Sequence, residues 1–115
     1  MGRRGERLRD SLKETQLVTT EEVLTELLAG LSAKGDHLRS AAAALVRLVL
    51  ADARVTVIHQ THQSFLDGLA LYERRLDKQY SLVDCISMNV MRRLRVRQVL
   101  TNDRHFTQEG FTVLL

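Results

Sequence analysis

Apolar residues recur along the chain with two alternating periods, and this predicts short strands that alternate with amphipathic helices. The segment "QLVTT" is short, apolar and rich in β-branched residues, as buried strands are. Residues 6–13 before it have the pattern of a helix end, and "TEEVLTELLAGL" after it predicts a helix that stops near Gly30. Thr19 and Glu22 have the spacing of a capping box, so we expect this helix to begin there.

Three further segments continue the alternation. The segment "GDHLRSAAAALVRLVLA" places apolar residues at helical spacing, and "RVTVIH" alternates β-branched residues as a strand does. A helix is then predicted over 63–76, with one apolar stripe along it. The apolar stripe of the helix in "GDHLRSAAAALVRLVLA" consists of Leu38, Ala42, Leu45, Val46 and Val49. The stripe of the helix over 63–76 consists of Phe65, Leu69, Tyr72 and Leu76.

The last third of the chain predicts one more helix and two strands. Val83, Ile86, Val90 and Leu94 recur at steps of three and four residues, so this helix buries one face. "RQVLTND" and the closing "FTVLL" have the composition of strands. Strands separated by helices indicate an α/β fold, in which a parallel sheet is covered by helices on both sides.

Composition bounds the class of protein. The chain has 115 residues, 44% of them hydrophobic and 27% charged, and it has no proline, which indicates one globular domain over 1–115. No apolar run reaches the length of a membrane span, and "MGRRGERLRD" is charged where a signal peptide is apolar. We therefore expect a cytoplasmic protein without membrane association. Because Cys85 is the single cysteine, we also expect no internal disulfide, and Cys85 itself to be a small core residue.

Three carboxylates occupy positions where the function of an α/β protein usually gathers. Asp103 directly follows the strand segment "VLTN", Asp84 lies at the start of its helix, and Glu26 lies on the helix after "LVTT". Taken singly, each of them is more simply a solvated surface group. Brought together to about 5 Å, each pair costs roughly 3 kcal/mol, so a cluster needs a cation, and oxygen ligands favour Mg²⁺ or Mn²⁺.

The segment "YSLVDCISMNVMRRLRVRQVLTNDRHFTQEGFTVLL" resembles the C-terminal third of a PIN domain, in particular the ribonuclease toxins of the VapC type. In that family one metal-site aspartate belongs to a D-Y-S-[LFV]-[VT]-D-C segment and another to a T-x-D-x-H-F segment, which match Asp84 and Asp103 here. The stretch "LVTTEEVLTELLAGL" is similar to the second strand and following helix of the family, whose glutamate matches Glu26.

This resemblance implies a three-layer α/β/α fold and an endoribonuclease that depends on Mg²⁺ or Mn²⁺. It also implies the toxin component of a toxin-antitoxin system, with RNA as substrate, a cognate antitoxin protein as partner, and a homodimer. A basic rim beside an acidic metal site suits a polyanion, and in this interpretation the RNA contacts are Arg92, Arg93, Arg104 and His105. The alternatives are a solvated helix end for the arginines and local packing for His105.

Two departures from the family pattern bear on these expectations. Relatives begin with a central apolar strand that ends in an aspartate, whereas only "MGRRG" precedes Glu6, so we expect the first strand and one of four metal-site acids to be missing. An upstream segment or a strand from a partner chain would fill the gap, and the rival function is a non-catalytic PIN-like interaction module. The second departure is Arg95, where relatives commonly carry glycine, so that Arg95 either strains a left-handed position or extends the helix.

Overall fold

The computed structural model describes residues 17–96, 98–99, 105–109 and 112–113. The helix end predicted over 6–13 lies outside these residues. The chain divides into two compact units, Met1–His59 and Gln60–Leu115, which are described in turn. Within the described ranges, no helix is long and apolar enough to cross a membrane.

The described part of the first unit, residues 17–59, contains two strands and two helices. Their order is β1 (Leu17–Thr20), α1 (Glu21–Leu31), α2 (Asp36–Ala51) and β2 (Val55–Ile58). The two strands pair in parallel, from Leu17 opposite Val55 to Thr20 opposite Ile58. The two predicted strands, the two predicted helices and the parallel orientation are thereby confirmed for this unit.

The beginning of α1 corrects the predicted cap by one residue. Thr20 is the N-cap, with φ −122° and ψ 157°, and its hydroxyl oxygen accepts a hydrogen bond from the Val23 amide at 3.1 Å. Thr19 instead pairs with Val57 inside β1. Strand pairing continues to Thr20, so Thr20 is the last extended residue and takes the cap position. The third helical residue is then Val23 rather than Glu22, and no capping box with Glu22 forms.

Helix α2 buries less of its predicted stripe than the spacing indicates. Ala42 is buried at 3% exposure, whereas Leu38 and Leu45 are 42% and 48% exposed. The helical spacing of apolar residues therefore predicted the helix correctly, but Leu38 and Leu45 on it remain in contact with solvent.

The second unit contains the remaining elements. Their order is α3 (His62–Arg74), α4 (Leu82–Arg93), β3 (Gln98–Val99), α5 (His105–Gln108) and β4 (Thr112–Val113). Strands β3 and β4 pair in parallel, with Gln98 opposite Thr112. The helices over 63–76 and around Val83 and the two strands are confirmed, whereas α5 was not predicted, because four residues are too few for a hydrophobic period.

The core of this unit lies where α3, α4 and α5 meet. It consists of Leu71, Tyr80, Cys85, Met88 and Phe106, with Met91 packed against it. Cys85 has no exposed surface, which confirms it as a core residue, and burial raises the pKa of its thiol.

The apolar stripe predicted on α3 faces solvent for the most part. Phe65 and Tyr72 are each 45% exposed and Leu76, just beyond the helix, is 83% exposed. The side of α3 that packs against α4 instead carries Gly68 and Leu71, both of them buried. A Cβ atom at Gly68 would overlap Cγ1 of Ile86, so the absence of a side chain there sets how closely the two helices approach.

Helix α4 ends in a Schellman motif in which Arg95 has the left-handed conformation. The Val96 amide donates to the Met91 carbonyl at 2.8 Å, the Arg95 amide donates to the Arg92 carbonyl at 3.1 Å, and φ of Arg95 is 58°. Of the two alternatives for Arg95, the left-handed position is confirmed. A residue with a Cβ atom is disfavoured in this conformation.

Replacing Arg95 by glycine is therefore expected to stabilise the protein by about 1 kcal/mol, because glycine has no Cβ atom to strain. The free energy of unfolding, measured by urea denaturation with circular dichroism, tests this. Arg93→Gly is the control, since glycine inside α4 should lower stability by about 1 kcal/mol. A fall in stability for Arg95→Gly would contradict the expectation.

Candidate functional site

Asp84 occupies the first turn of α4, where it closes a capping box with Ser81. The Ser81 amide donates to Asp84 Oδ2 at 3.1 Å, and the Asp84 amide donates to the Ser81 hydroxyl oxygen at 3.0 Å. The Asp84 side chain is 18% exposed. Its negative charge is favoured at this end of the helix by the unpaired amides and the helix dipole. The sequence prediction that Asp84 lies at a helix start is confirmed.

His105 makes the second contact with the same carboxylate oxygen. Its Nδ1 lies 3.4 Å from Asp84 Oδ2, and the His105 side chain is 26% exposed. A carboxylate accepts hydrogen bonds, so Nδ1 carries the proton in this pair. The imidazole also stands edge-on to the ring of Tyr80, with 5.2 Å between the ring centroids and an interplanar angle of 63°.

Both contacts use Oδ2, which leaves Oδ1 of Asp84 without a hydrogen bond to any residue of the described ranges. One turn further along α4, the buried hydroxyl oxygen of Ser87 also has no partner among those residues. Residues three apart on a helix are surface neighbours, so both oxygens lie on one side of α4 and neither has a partner among the described residues. Hard oxygen donors of this kind fit Mg²⁺ or Mn²⁺.

Glu109 lies just beyond α5 and forms the centre of a buried polar network. Its side chain is 5% exposed, and it accepts hydrogen bonds from Arg75 Nε at 2.9 Å, Arg92 Nη2 at 2.7 Å and the Tyr80 hydroxyl at 3.0 Å. Burial by itself would raise the pKa of Glu109. The hydrogen bonds from Arg75, Arg92 and Tyr80 outweigh burial and lower the pKa to about 2.

This network fixes α5 from its far end. Phe106 anchors the start of the helix in the core, and Glu109 ties the end of it to the residues before and on α4. His105, at the first position of α5, is thereby held against Asp84. Sequence reasoning missed Glu109, because an isolated glutamate just beyond a four-residue helix leaves no periodic signal.

The other predicted site residues divide into three groups. Glu26 is an exposed residue of α1 in the first unit. Arg92 is bound to Glu109, while Arg93 is exposed in the last turn of α4, where the helix dipole favours a cation. Asp103 and Arg104 lie outside the described residues.

The predicted cluster of three carboxylates stays a prediction. In the part of the chain that the structure describes, no three His, Cys, Asp or Glu side chains are grouped to hold a metal ion. Since Asp103 is not in that part, this result leaves the cluster that includes it open.

Comparison with known proteins finds a matching family and a similar solved structure. The PIN domain family matches residues 3–111 of the chain. Among solved structures, VapC20 of Mycobacterium tuberculosis, a sarcin-ricin loop cleaving toxin, is 30% identical with a TM-score of 0.72, over 84% of this chain and 72% of that one. No curated protein sequence matches the chain.

Proposed function

The chain belongs to the PIN domain family, and on this premise we propose that it is an endoribonuclease dependent on Mg²⁺ or Mn²⁺. The observation that carries the proposal is the burial and hydrogen bonding of the Asp84 carboxylate. Its carboxylate is largely buried, one oxygen is held by Ser81 and His105, and the other oxygen has no partner among the described residues. A shielded carboxylate with one open oxygen is suited to binding a cation.

In the proposed site, Asp84 and Asp103 are the main ligands, and Glu26 is a ligand or a base that orients water. A divalent cation supplies polarisation of the phosphate and activation of a water for in-line attack on the phosphodiester. Arg93, Arg104 and Arg92 would draw the polyanionic RNA towards this acidic site. Of these three arginines, Arg92 is expected to attract RNA least, since its charge is already paired with Glu109.

We propose that the two units form one three-layer α/β/α domain. Support comes from the family match, which runs through both units, and from the parallel pairing of the strands in each.

The resemblance to a toxin extends the proposal to partners. We propose that the chain is the toxin of a toxin-antitoxin pair, that its substrate is RNA, and that a protein antitoxin suppresses it. A sarcin-ricin loop is a suitable first substrate, because the similar protein VapC20 is described as cleaving that loop. Homodimer formation is part of the same proposal.

The nuclease proposal predicts cleavage that requires a divalent cation. Purified protein should cleave an RNA containing the sarcin-ricin loop, or a mixture of tRNA, rRNA and message, when Mg²⁺ or Mn²⁺ is present. EDTA should stop cleavage and excess Mn²⁺ should restore it, as measured by gel electrophoresis of end-labelled RNA. Cleavage that continues in EDTA would contradict the proposed chemistry.

The rival function is an interaction module without catalysis. It is favoured by the apolar side chains that α3 presents to solvent, Phe65, Leu69 and Tyr72. Exposed apolar patches of this kind mark surfaces for protein partners. The same RNA assay separates the two functions, because the module would leave every RNA intact under all metal conditions while still binding its partner.

A further inference from the structure

The Asp84 carboxylate is held at one oxygen by donors from two different elements. The Ser81 amide approaches from the start of α4, and His105 Nδ1 approaches from α5. A single donor would leave the carboxylate free to turn and present either oxygen to the site. Two donors that converge on Oδ2 restrict this rotation, so Oδ1 keeps one direction.

His105 is itself restrained on several sides. Its ring stands edge-on to Tyr80, and the next residue, Phe106, is buried in the core at 7% exposure. At the other end of α5, Glu109 is bound by Arg75 and Arg92. Tyr80 belongs to both arrangements, since its hydroxyl donates to Glu109 while its ring contacts His105.

We infer that His105 is a positioning residue that orients Asp84, with Oδ2 fixed by the imidazole and Oδ1 presented to the cation. The inference rests on the proposed function, and the prediction of His105 as an RNA contact stays a separate proposal. Residues that hold a metal ligand in this way typically change metal affinity or activity 10- to 100-fold when they are replaced.

The test is the dissociation constant of Mn²⁺ without RNA, measured by the electron paramagnetic resonance signal of free Mn²⁺. His105→Leu keeps an apolar side chain against Tyr80 and removes the donor. His105→Asn is smaller but places an amide nitrogen near the position of Nδ1. We expect His105→Leu to raise the dissociation constant about 10-fold and His105→Asn to restore most of the affinity.

The two variants separate orientation from packing. If His105 only fills space, the leucine variant should bind Mn²⁺ better than the asparagine variant. His62→Leu, at an exposed histidine of the same unit, is the matched control and should bind as the wild type does.

Asp84→Asn distinguishes failure of this inference from failure of the proposed function. If Asp84→Asn binds Mn²⁺ weakly, two results for His105→Leu overturn the positioning role alone. One is binding as tight as that of the wild type, and the other is binding at least as tight as that of His105→Asn. A wild type that binds no Mn²⁺, or an Asp84→Asn variant that binds it normally, overturns the nuclease proposal and the positioning role with it.

Discussion

Replacing Asp84 by asparagine is expected to lower metal-dependent RNA cleavage by at least about 100-fold, the loss typical of removing one electrostatic group from an active site. The asparagine keeps an oxygen that accepts the Ser81 amide, so the first turn of α4 remains capped. What disappears is the negative charge that attracts and holds the cation. The variant therefore separates chemistry from folding more cleanly than a truncation to alanine.

The measurement is the initial rate of cleavage at saturating Mn²⁺, with circular dichroism to confirm that the variant is folded. Asp77→Asn is the matched control, because the Asp77 side chain is 77% exposed and belongs to the same unit. It should cleave at the wild-type rate. Equal rates for Asp84→Asn and wild type would indicate a contaminating nuclease and would remove the support for catalysis.

Replacing Glu109 by glutamine is expected to destabilise the protein by roughly 2 to 3 kcal/mol, somewhat less than the loss of a fully buried partner. The glutamine has similar shape but no charge, so Arg75 and Arg92 lose the anion that pairs with both of them. Both arginines remain in partial contact with water, at 34% and 42% exposure of their side chains, which moderates the loss.

Urea denaturation at neutral pH measures this difference in the free energy of unfolding. Glu73→Gln is the control, since it removes the same charge from an exposed position on α3. We expect Glu73→Gln to change stability by less than about 0.5 kcal/mol. Equal stabilities for Glu109→Gln and Glu73→Gln would show that the network around Glu109 contributes nothing.

The depressed pKa of Glu109 also determines how the difference in stability between wild type and Glu109→Gln depends on pH. The pKa is about 2 in the folded protein against an ordinary value of 4.5, so the ionised form stabilises the fold above pH 4.5. This contribution is lost as the pH falls from 4.5 towards 2. Over that range wild type should lose about 1 to 2 kcal/mol more than Glu109→Gln, since solvation of the arginines reduces the full linkage value.

Apart from α5, the order of strands and helices was predictable from sequence because each of these elements depends on local periodicity. The strands around Val18 and Val57 and the helix that buries Ile86 and Val90 follow directly from spacing. Asp84 was placed at a helix start because the first turn of a helix favours a carboxylate, which is a local signal as well. These features need no knowledge of which segments meet in space.

The contacts that complete the site were not predictable, because they join residues far apart in the chain. Arg75 and Glu109 are separated by 34 positions, and neither belongs to a periodic pattern. The packing side of α3 was also hidden, since a glycine at the contact contributes nothing to a hydrophobic stripe. Thr20 was missed as the cap because two threonines in succession offer the same chemistry, and only the extent of strand pairing selects between them.

The close approach at Gly68 has a consequence for the tolerance of the site to distant change. Ile86 packs on Gly68 and lies only two residues after Asp84. The distance between α3 and α4 at this contact therefore determines the position of the Asp84 carboxylate. A substitution of Gly68 by serine or alanine would push α4 outward and carry the carboxylate with it. For the proposed nuclease, a displacement of about 1 Å at a metal ligand is enough to lower the rate roughly 100-fold, so a substitution at Gly68 is expected to reduce activity although it removes no polar group.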